Sequence, residues 1–204
     1  KYFHTIMDKV KGRWTAEEEK AIKSTPFRHF LELCSGSISM TRLKSLVDVF
    51  DKRRCIFVVG DGVEVEFSGP EFACVIGLHY VGQHVNERVV KKSSIAERYF
   101  NGKASVVTRT KIGDALLRYV GRGVDEEGKG SAKDIARLYV LLVFNCILFP
   151  LTHYQTPAYV IHYVDKLKRL KQYAWGHAAY SFLLQSISSH SEGTTKYVCG
   201  CTVG

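Results

Sequence analysis

The chain has 204 residues, of which 46% are hydrophobic and 12% aromatic, and a formal net charge of +9 at pH 7. That length buries a sizeable core without disulfide staples, and the apolar fraction excludes intrinsic disorder. The positive balance favours contact with polyanions, although charge bears on association and solubility and not on fold.

Residues 1–24 are polar and read as an N-terminal extension, with residues 25–204 as the domain proper. In the extension, Thr15 as N-cap and Glu18 three positions on predict a short helix closed by a capping box. Thr25-Pro26 predicts a second start, a cap residue followed by proline at the first helical position. Phe27, Phe30, Leu31 and Cys34 share the face of that helix, and Gly36 ends it. Ser39 caps the next helix, where Met40, Leu43, Leu46, Val47 and Phe50 repeat at helical spacing. Asp51-Lys52-Arg53-Arg54 closes it, with positive charge at a helix C-terminus. A nucleic-acid or nuclear-import role for Lys52, Arg53 and Arg54 is the alternative.

The clearest β signal follows. Residues 56–59 predict a strand, Gly60-Asp61-Gly62 a turn and residues 63–67 a second strand, with Val63, Val65 and Phe67 inward and Glu64 and Glu66 outward. Ser68 and Glu71 then form a capping box for a helix that buries Phe72, Val75 and Ile76 and stops at Gly77. Arg88, Lys91 and Lys92 are exposed by composition, and residues 94–100 suit a short helix. Thr110 is placed to cap a helix carrying Ile112, Leu116, Leu117 and Val120. Residues 121–130, with four glycines and Asp125-Glu126-Glu127, read as a flexible acidic loop. They lack the Gly-Lys-Ser/Thr of a phosphate cradle.

Residues 131–150 are the apolar centre of the chain. Ser131 with Asp134 marks a helix start, only Asn145 is polar across residues 138–149, and Pro150 is the stop. A helix hydrophobic all round belongs inside a core, and this one falls short of the ~20 residues that cross a bilayer. Thr156-Pro157 opens a helix with Val160, Ile161, Val164, Leu167 and Leu170 on its apolar face and Lys166, Lys168, Arg169 and Lys171 at its end. Tyr173-Ala174-Trp175-Gly176 leads into a last helix, whose Ala178, Ala179, Phe182, Leu183 and Ile187 face the core. Residues 188–196 read as a polar loop. The fold class is mostly α with a small β-hairpin (α+β): one helical domain around a buried central helix.

Of the six cysteines, Cys34, Cys74 and Cys146 lie in apolar stretches, where a free thiol behaves as a small hydrophobe. With no signal-like leader and no dense cysteine framework, the expected compartment is reducing, cytosol or nucleus. Cys199 and Cys201 with His190 fall short of the paired spacing of a structural zinc site, and no metal is expected. No local signature marks a cysteine–histidine nucleophile among six cysteines and eight histidines, so no catalytic residue is assigned. An enzyme remnant acting through a cysteine stays as a remote alternative.

The order of these segments resembles the plant mobile domain, a family of plant transposable elements and of nuclear proteins derived from them. The likeness is carried by residues 26–50, by residues 56–78 with their ending at Gly77-Leu78, by residues 136–150 ending in Leu148-Phe149-Pro150, and by Tyr173-Ala174-Trp175-Gly176. Gly200-Cys201 matches the start of the family's next apolar helix, which implies a C-terminal truncation at Gly204. The resemblance implies a non-catalytic protein-interaction or assembly module in a transposon-derived nuclear protein, linked to transposon silencing and gene regulation. The partner is then a protein, with DNA or RNA and self-association as alternatives, no membrane and no cofactor; a cytoplasmic setting is the alternative to the nucleus. As signature residues, Tyr173, Trp175, Gly176, Gly77 and Pro150 take packing roles: an aromatic anchor and a glycine that permits close approach. The chain's own candidate for chemistry is Lys166, Lys168, Arg169 and Lys171, with Tyr163, Tyr173 and Trp175 near them. Cations beside aromatic platforms suit single-stranded nucleic acid.

Overall fold

The structure, a computed structural model, describes residues 1–34, 36, 39–191 and 198. Among these, nine α-helices and a three-stranded antiparallel sheet form a mostly helical α+β domain. The helices are α1 (Tyr2–Val10), α2 (Ala16–Lys23), α3 (Met40–Asp48), α4 (Gly69–Val75), α5 (Ser94–Phe100), α6 (Arg109–Tyr119), α7 (Ala132–Val143), α8 (Ala158–Ile161) and α9 (Trp175–Ser191). The strands, in spatial as in chain order, are β1 (Phe50–Asp51), β2 (Ile56–Val59) and β3 (Val63–Glu66).

The core is built on α7. Ser131 accepts the Asp134 N–H as its cap, and every residue of 138–149 is buried except the half-buried Cys146. The helix runs into one π-helical turn, Phe144–Leu148. This turn carries Asn145, the stretch's one residue that is neither apolar nor aromatic, whose Nδ2 donates to the Tyr154 carbonyl (2.9 Å) and to Thr156 Oγ1 (3.0 Å). A buried amide left without partners costs more than its bonds contribute, so this pairing is what admits Asn145 to the core. Phe149, just before Pro150, has left helical geometry (φ −132°, ψ 47°).

α2 and α6 lie against α7, and α4 lies against α9. Residues 1–24, set apart above as an extension, supply Phe3, Ile6, Val10 and Ile22 to this same core. The expected box at α2 is present, Thr15 and Glu18 exchanging bonds of 2.8 and 3.2 Å. Glu18 is itself buried and also accepts the Gly121 N–H, which ties residues 121–130 down at one end. At the other end the Gly130 N–H donates to the Tyr99 hydroxyl at 2.6 Å. Thr108, two residues before the expected Thr110, caps α6.

The hairpin departs from expectation. Residues 50–51 are a strand and not a helix end, so Lys52, Arg53 and Arg54 lie in a turn. There Asp51 Oδ1 accepts the N–H groups of Arg53 and Arg54. Val63 and Val65 do not face the core: all four residues of β3 are exposed, and the buried anchor of this region is the aromatic cluster of Phe50, Phe57, Phe67, Phe72 and Tyr180. Alternation predicted Val63 and Val65 inward, but it cannot say whether another layer covers that side, and both are exposed. Val75 is likewise exposed, as are Cys34 and Cys74. The last helix extends through residues 188–191, which the sequence assigned to a loop. Cys199 and Cys201 lie outside the described residues.

Two glycines have steric roles. Gly77 sits at φ +68° and closes α4: its N–H donates to the Cys74 carbonyl while the Leu78 N–H donates to Ala73, the paired bonds of a Schellman stop. Gly176 lies where α9 meets α4. A β-carbon there would stand 2.5 Å from the Ala73 side chain and 2.9 Å from the His79 carbonyl. Gly176→Ala therefore forces α4 and α9 apart, with an expected loss of about 1–3 kcal/mol in urea unfolding. Gly36→Ala, with open space around it, is expected to change stability little.

Burial also sets a pH dependence. Desolvation lowers the pKa of His29 most; its hydrogen bond to the Ile76 carbonyl (2.8 Å) opposes the shift and Arg28 adds to it. His162 is shifted in the same direction, chiefly by desolvation and then by Lys91. With folded values below the ordinary 6.5, the unfolded chain binds more protons in that window, so stability falls as pH is lowered through it. Urea midpoints measured from pH 7.5 to pH 5.5 should decline, and His29→Gln, which keeps a donor for Ile76, should flatten part of the decline.

Candidate functional site

The segment after α8 is not one helix. It continues as a 3-10 stretch, His162–Gln172, with a break at Lys166 (φ −116°, ψ 70°). Val160, Ile161, Val164 and Leu170 are buried beneath it, and its cations are thrown outward. The break separates them: Lys166 and Arg169 line a cleft of about 260 Å³, whereas Lys168 and Lys171 are exposed outside it. Lys52, Arg53 and Arg54 do not reach the cleft, and Arg54 is held by Glu64 through two bonds of 2.6 and 2.5 Å.

The opposite wall of the cleft is Lys91 and Lys92. They arrive there through a set of long-range bonds. The Gln83 N–H donates to the Gln172 carbonyl (2.7 Å), and the Ala174 N–H donates to Gln83 (2.9 Å). Further along, the Asn86 N–H donates to the Tyr163 hydroxyl (2.9 Å). Asp165 then accepts from the Ser94 N–H, the Ser94 hydroxyl, the Ser93 hydroxyl and the Ile95 N–H, at 2.8–3.2 Å. A carboxylate over the first turn of α5 is favoured by the orphan N–H groups and the dipole there. The same contact fixes Lys91 and Lys92 just upstream. The sequence marked the two lysines only as exposed; a Lys-Lys pair directly before a Ser-Ser helix cap was the available signal.

The cleft thus holds Lys91, Lys92, Lys166 and Arg169 against one carboxylate, Asp165, which is already engaged by α5. Among the described residues none of the four cations pairs with a carboxylate within 4 Å. Tyr163, Tyr173 and His162 complete the lining. The Tyr163 and Tyr173 rings meet edge to face at 4.7 Å, and Tyr173 is half-buried. Burial raises the Tyr163 hydroxyl, so the ring stays neutral. The depressed His162 is neutral at pH 7 and adds no charge until the pH falls.

Trp175 is no platform for a ligand. It is buried, its Nε1–H donates to the Leu170 carbonyl at 2.8 Å, and it packs among Phe27, Phe144, Phe149, Tyr163 and Tyr173. Its expected role as a packing anchor is what the structure shows.

Two other concavities are less suited to an anion. A second basic cleft of about 240 Å³ has Lys111 and Arg118, but its Arg98 is bound to the buried Asp134 and its Lys129 to Glu127, with Asp114 also on its wall. The larger cavity beside α1, about 380 Å³, mixes Asp8, Glu19 and Glu32 with Lys11 and Lys23. Burial pushes the Cys146 thiol up to about 12, which leaves it protonated and a poor nucleophile at neutral pH. Among the described residues no three His, Cys, Asp or Glu side chains gather to hold a metal ion, and no described helix is long and apolar enough to cross a membrane.

No curated protein and no solved structure matches the chain. The model of one family, described as "Domain of unknown function (DUF8566)", matches residues 1–203. With the match spanning both the N-terminal helices and the basic cleft, the chain belongs to the DUF8566 family.

Proposed function

We propose that this domain is a binding module that holds a single-stranded nucleic acid in the cleft between residues 91–92 and 162–173, within a nuclear, transposon-derived protein of the kind the plant mobile domain resemblance implies. The observation that carries the reading is the convergence of Lys91, Lys92, Lys166 and Arg169, from two distant segments, on one cleft that the half-buried Tyr173 also lines. Fixing four like charges together costs Coulomb repulsion, and a bound phosphate chain relieves it.

The division of labour follows from the side chains. The three lysines supply point charges for phosphates, and Arg169 supplies a fork that can hold one phosphate through two bonds. Tyr173 offers a base a stacking face, with Tyr163 behind it as an edge-on support. The cleft is built from a loop and a broken 3-10 segment, with no helix presented for the major groove of a duplex. A single strand, whose bases turn outward, fits such a surface.

Binding of a fluorescent oligothymidylate should weaken steeply with salt. Lys166→Gln with Arg169→Gln should reduce the log–log salt slope by about 1.4, roughly 0.7 for each lost phosphate contact on a single strand. Neutralising Lys168 and Lys171 should leave the slope nearly as it was. Tyr173→Ala should weaken binding by about 1–3 kcal/mol at unchanged slope. Equal effects from both cation pairs, or no binding at 20 mM salt, would remove the assignment.

Acid should tighten the complex. Protonating His162 adds a cation beside Lys91, Lys92, Lys166 and Arg169, with Asp165 the lone carboxylate on the wall. Affinity measured at constant ionic strength should rise from pH 7 to pH 5.5, and His162→Gln should lose most of that rise.

A further inference from the structure

The sheet ends on an unprotected strand. Among the described residues β3 pairs only with β2, in the register Phe57 with Val65 and Val59 with Val63, and all four of its residues are exposed. The Phe67 N–H donates to the Cys55 carbonyl at 2.8 Å, so Phe67 points its backbone groups towards β2. Direction alternates along a strand, which turns Val65 and Val63 inward to β2 and leaves the N–H and C=O of Glu64 and Glu66 aimed away from the sheet. Exposed edges in soluble proteins are commonly guarded by lysine, proline, a bulge or a covering element. β3, with the sequence Val-Glu-Val-Glu, has none of these among the described residues.

The two faces of this edge differ in chemistry. Val59, Val63 and Val65 lie on the face of Phe57 and extend its apolar surface into solvent, with exposures of 37%, 54% and 48% for the three valines. Glu64 and Glu66 occupy the other face. Arg54 compensates Glu64, and Glu66 has no cation within 4 Å among the described residues. In a chain of net charge +9, the strand carries two carboxylates and no base.

We infer that the outer edge of β3 is a docking site for an extended protein segment of alternating aliphatic and basic residues, which joins the sheet as a fourth, antiparallel strand. Its backbone would pair with Glu64 and Glu66, its aliphatic side chains would cover Val63 and Val65, and its bases would face the two carboxylates. Charge selects this occupant over a second copy of the chain, because two β3 strands laid together would oppose their glutamates.

The test uses the full chain and three capped peptides: Lys-Val-Lys-Val-Lys-Val, Glu-Val-Glu-Val-Glu-Val and a shuffled form of the basic one. The basic alternating peptide should bind, and its binding should slow hydrogen exchange at the Glu64 and Glu66 amides. Glu66→Lys should weaken it at least tenfold. Glu64→Pro, which removes one outward N–H but no bond to β2, should do the same, with circular dichroism confirming that both variants stay folded. Equal binding of the acidic or shuffled peptide, unchanged exchange at residues 64 and 66, or protection that instead grows with protein concentration as copies associate, would overturn the assignment.

Discussion

Trp175 is the contact on which the arrangement depends. Its indole stands among rings from three separate parts of the chain: Phe27 after the N-terminal helices, Phe144 and Phe149 from the end of the central helix, and Tyr163 and Tyr173 from the basic segment. Its N–H satisfies the Leu170 carbonyl at the end of the 3-10 stretch. The following residue, Gly176, lets α9 touch α4, and its N–H donates to His79. One side chain thus sets the depth of the basic segment relative to the core, while its neighbour sets the angle of the helix that leaves it. The exposed wall of the cleft inherits both constraints.

Three carboxylates do comparable work for the loops. Glu18 and Asp134 are buried, and Asp165 is half-buried. Each has partners far along the chain: Glu18 has Gly121, Asp134 has Arg98 and Tyr99 besides its neighbour Arg137, and Asp165 has residues 93–95. Removing a single partner from such a site leaves a charge without compensation, which is why these contacts fix loops so firmly. They also sort the charges of the molecule. In the cleft the one carboxylate, Asp165, is outnumbered by four cations, so a positive surplus remains.

The sequence revealed the elements whose signals are local. The central helix, the capping box at Thr15 and the stop at Gly77 all rest on residues within a few positions of each other, and all are present, while at Ser68 the hydroxyl accepts the Glu71 N–H and donates to the Glu71 carboxylate in place of the expected reciprocal box. What it concealed depends on distance. Phe3, Ile6 and Val10 are apolar every three or four positions, but polar neighbours diluted the pattern, and only their contact with α6 and the end of the central helix makes them core. The valines of β3 alternate as an inward strand would, yet alternation cannot say whether another layer covers them. The basic cluster was half legible. Four cations in six residues were visible, but the break at Lys166 that divides them, and the Asp165 contacts that bring Lys91 and Lys92 across, arise from tertiary pairing.

The two surfaces left after this accounting are opposite in sign and in geometry. The proposed cleft is concave, basic and assembled from side chains that only the fold brings together, so it answers to charge and stacking. The hairpin edge is linear, acidic and assembled from one short run of sequence, so it answers to backbone pairing. A polyanion has no attraction to Glu64 and Glu66, and a basic strand is repelled by Lys91, Lys92, Lys166 and Arg169. On the proposed roles, each surface would therefore exclude the other's ligand through the same Coulomb term that attracts its own. Since no described residue serves both, occupation of one need not compete with the other, which is the arrangement a module needs if it is to hold a nucleic acid and a protein segment at the same time.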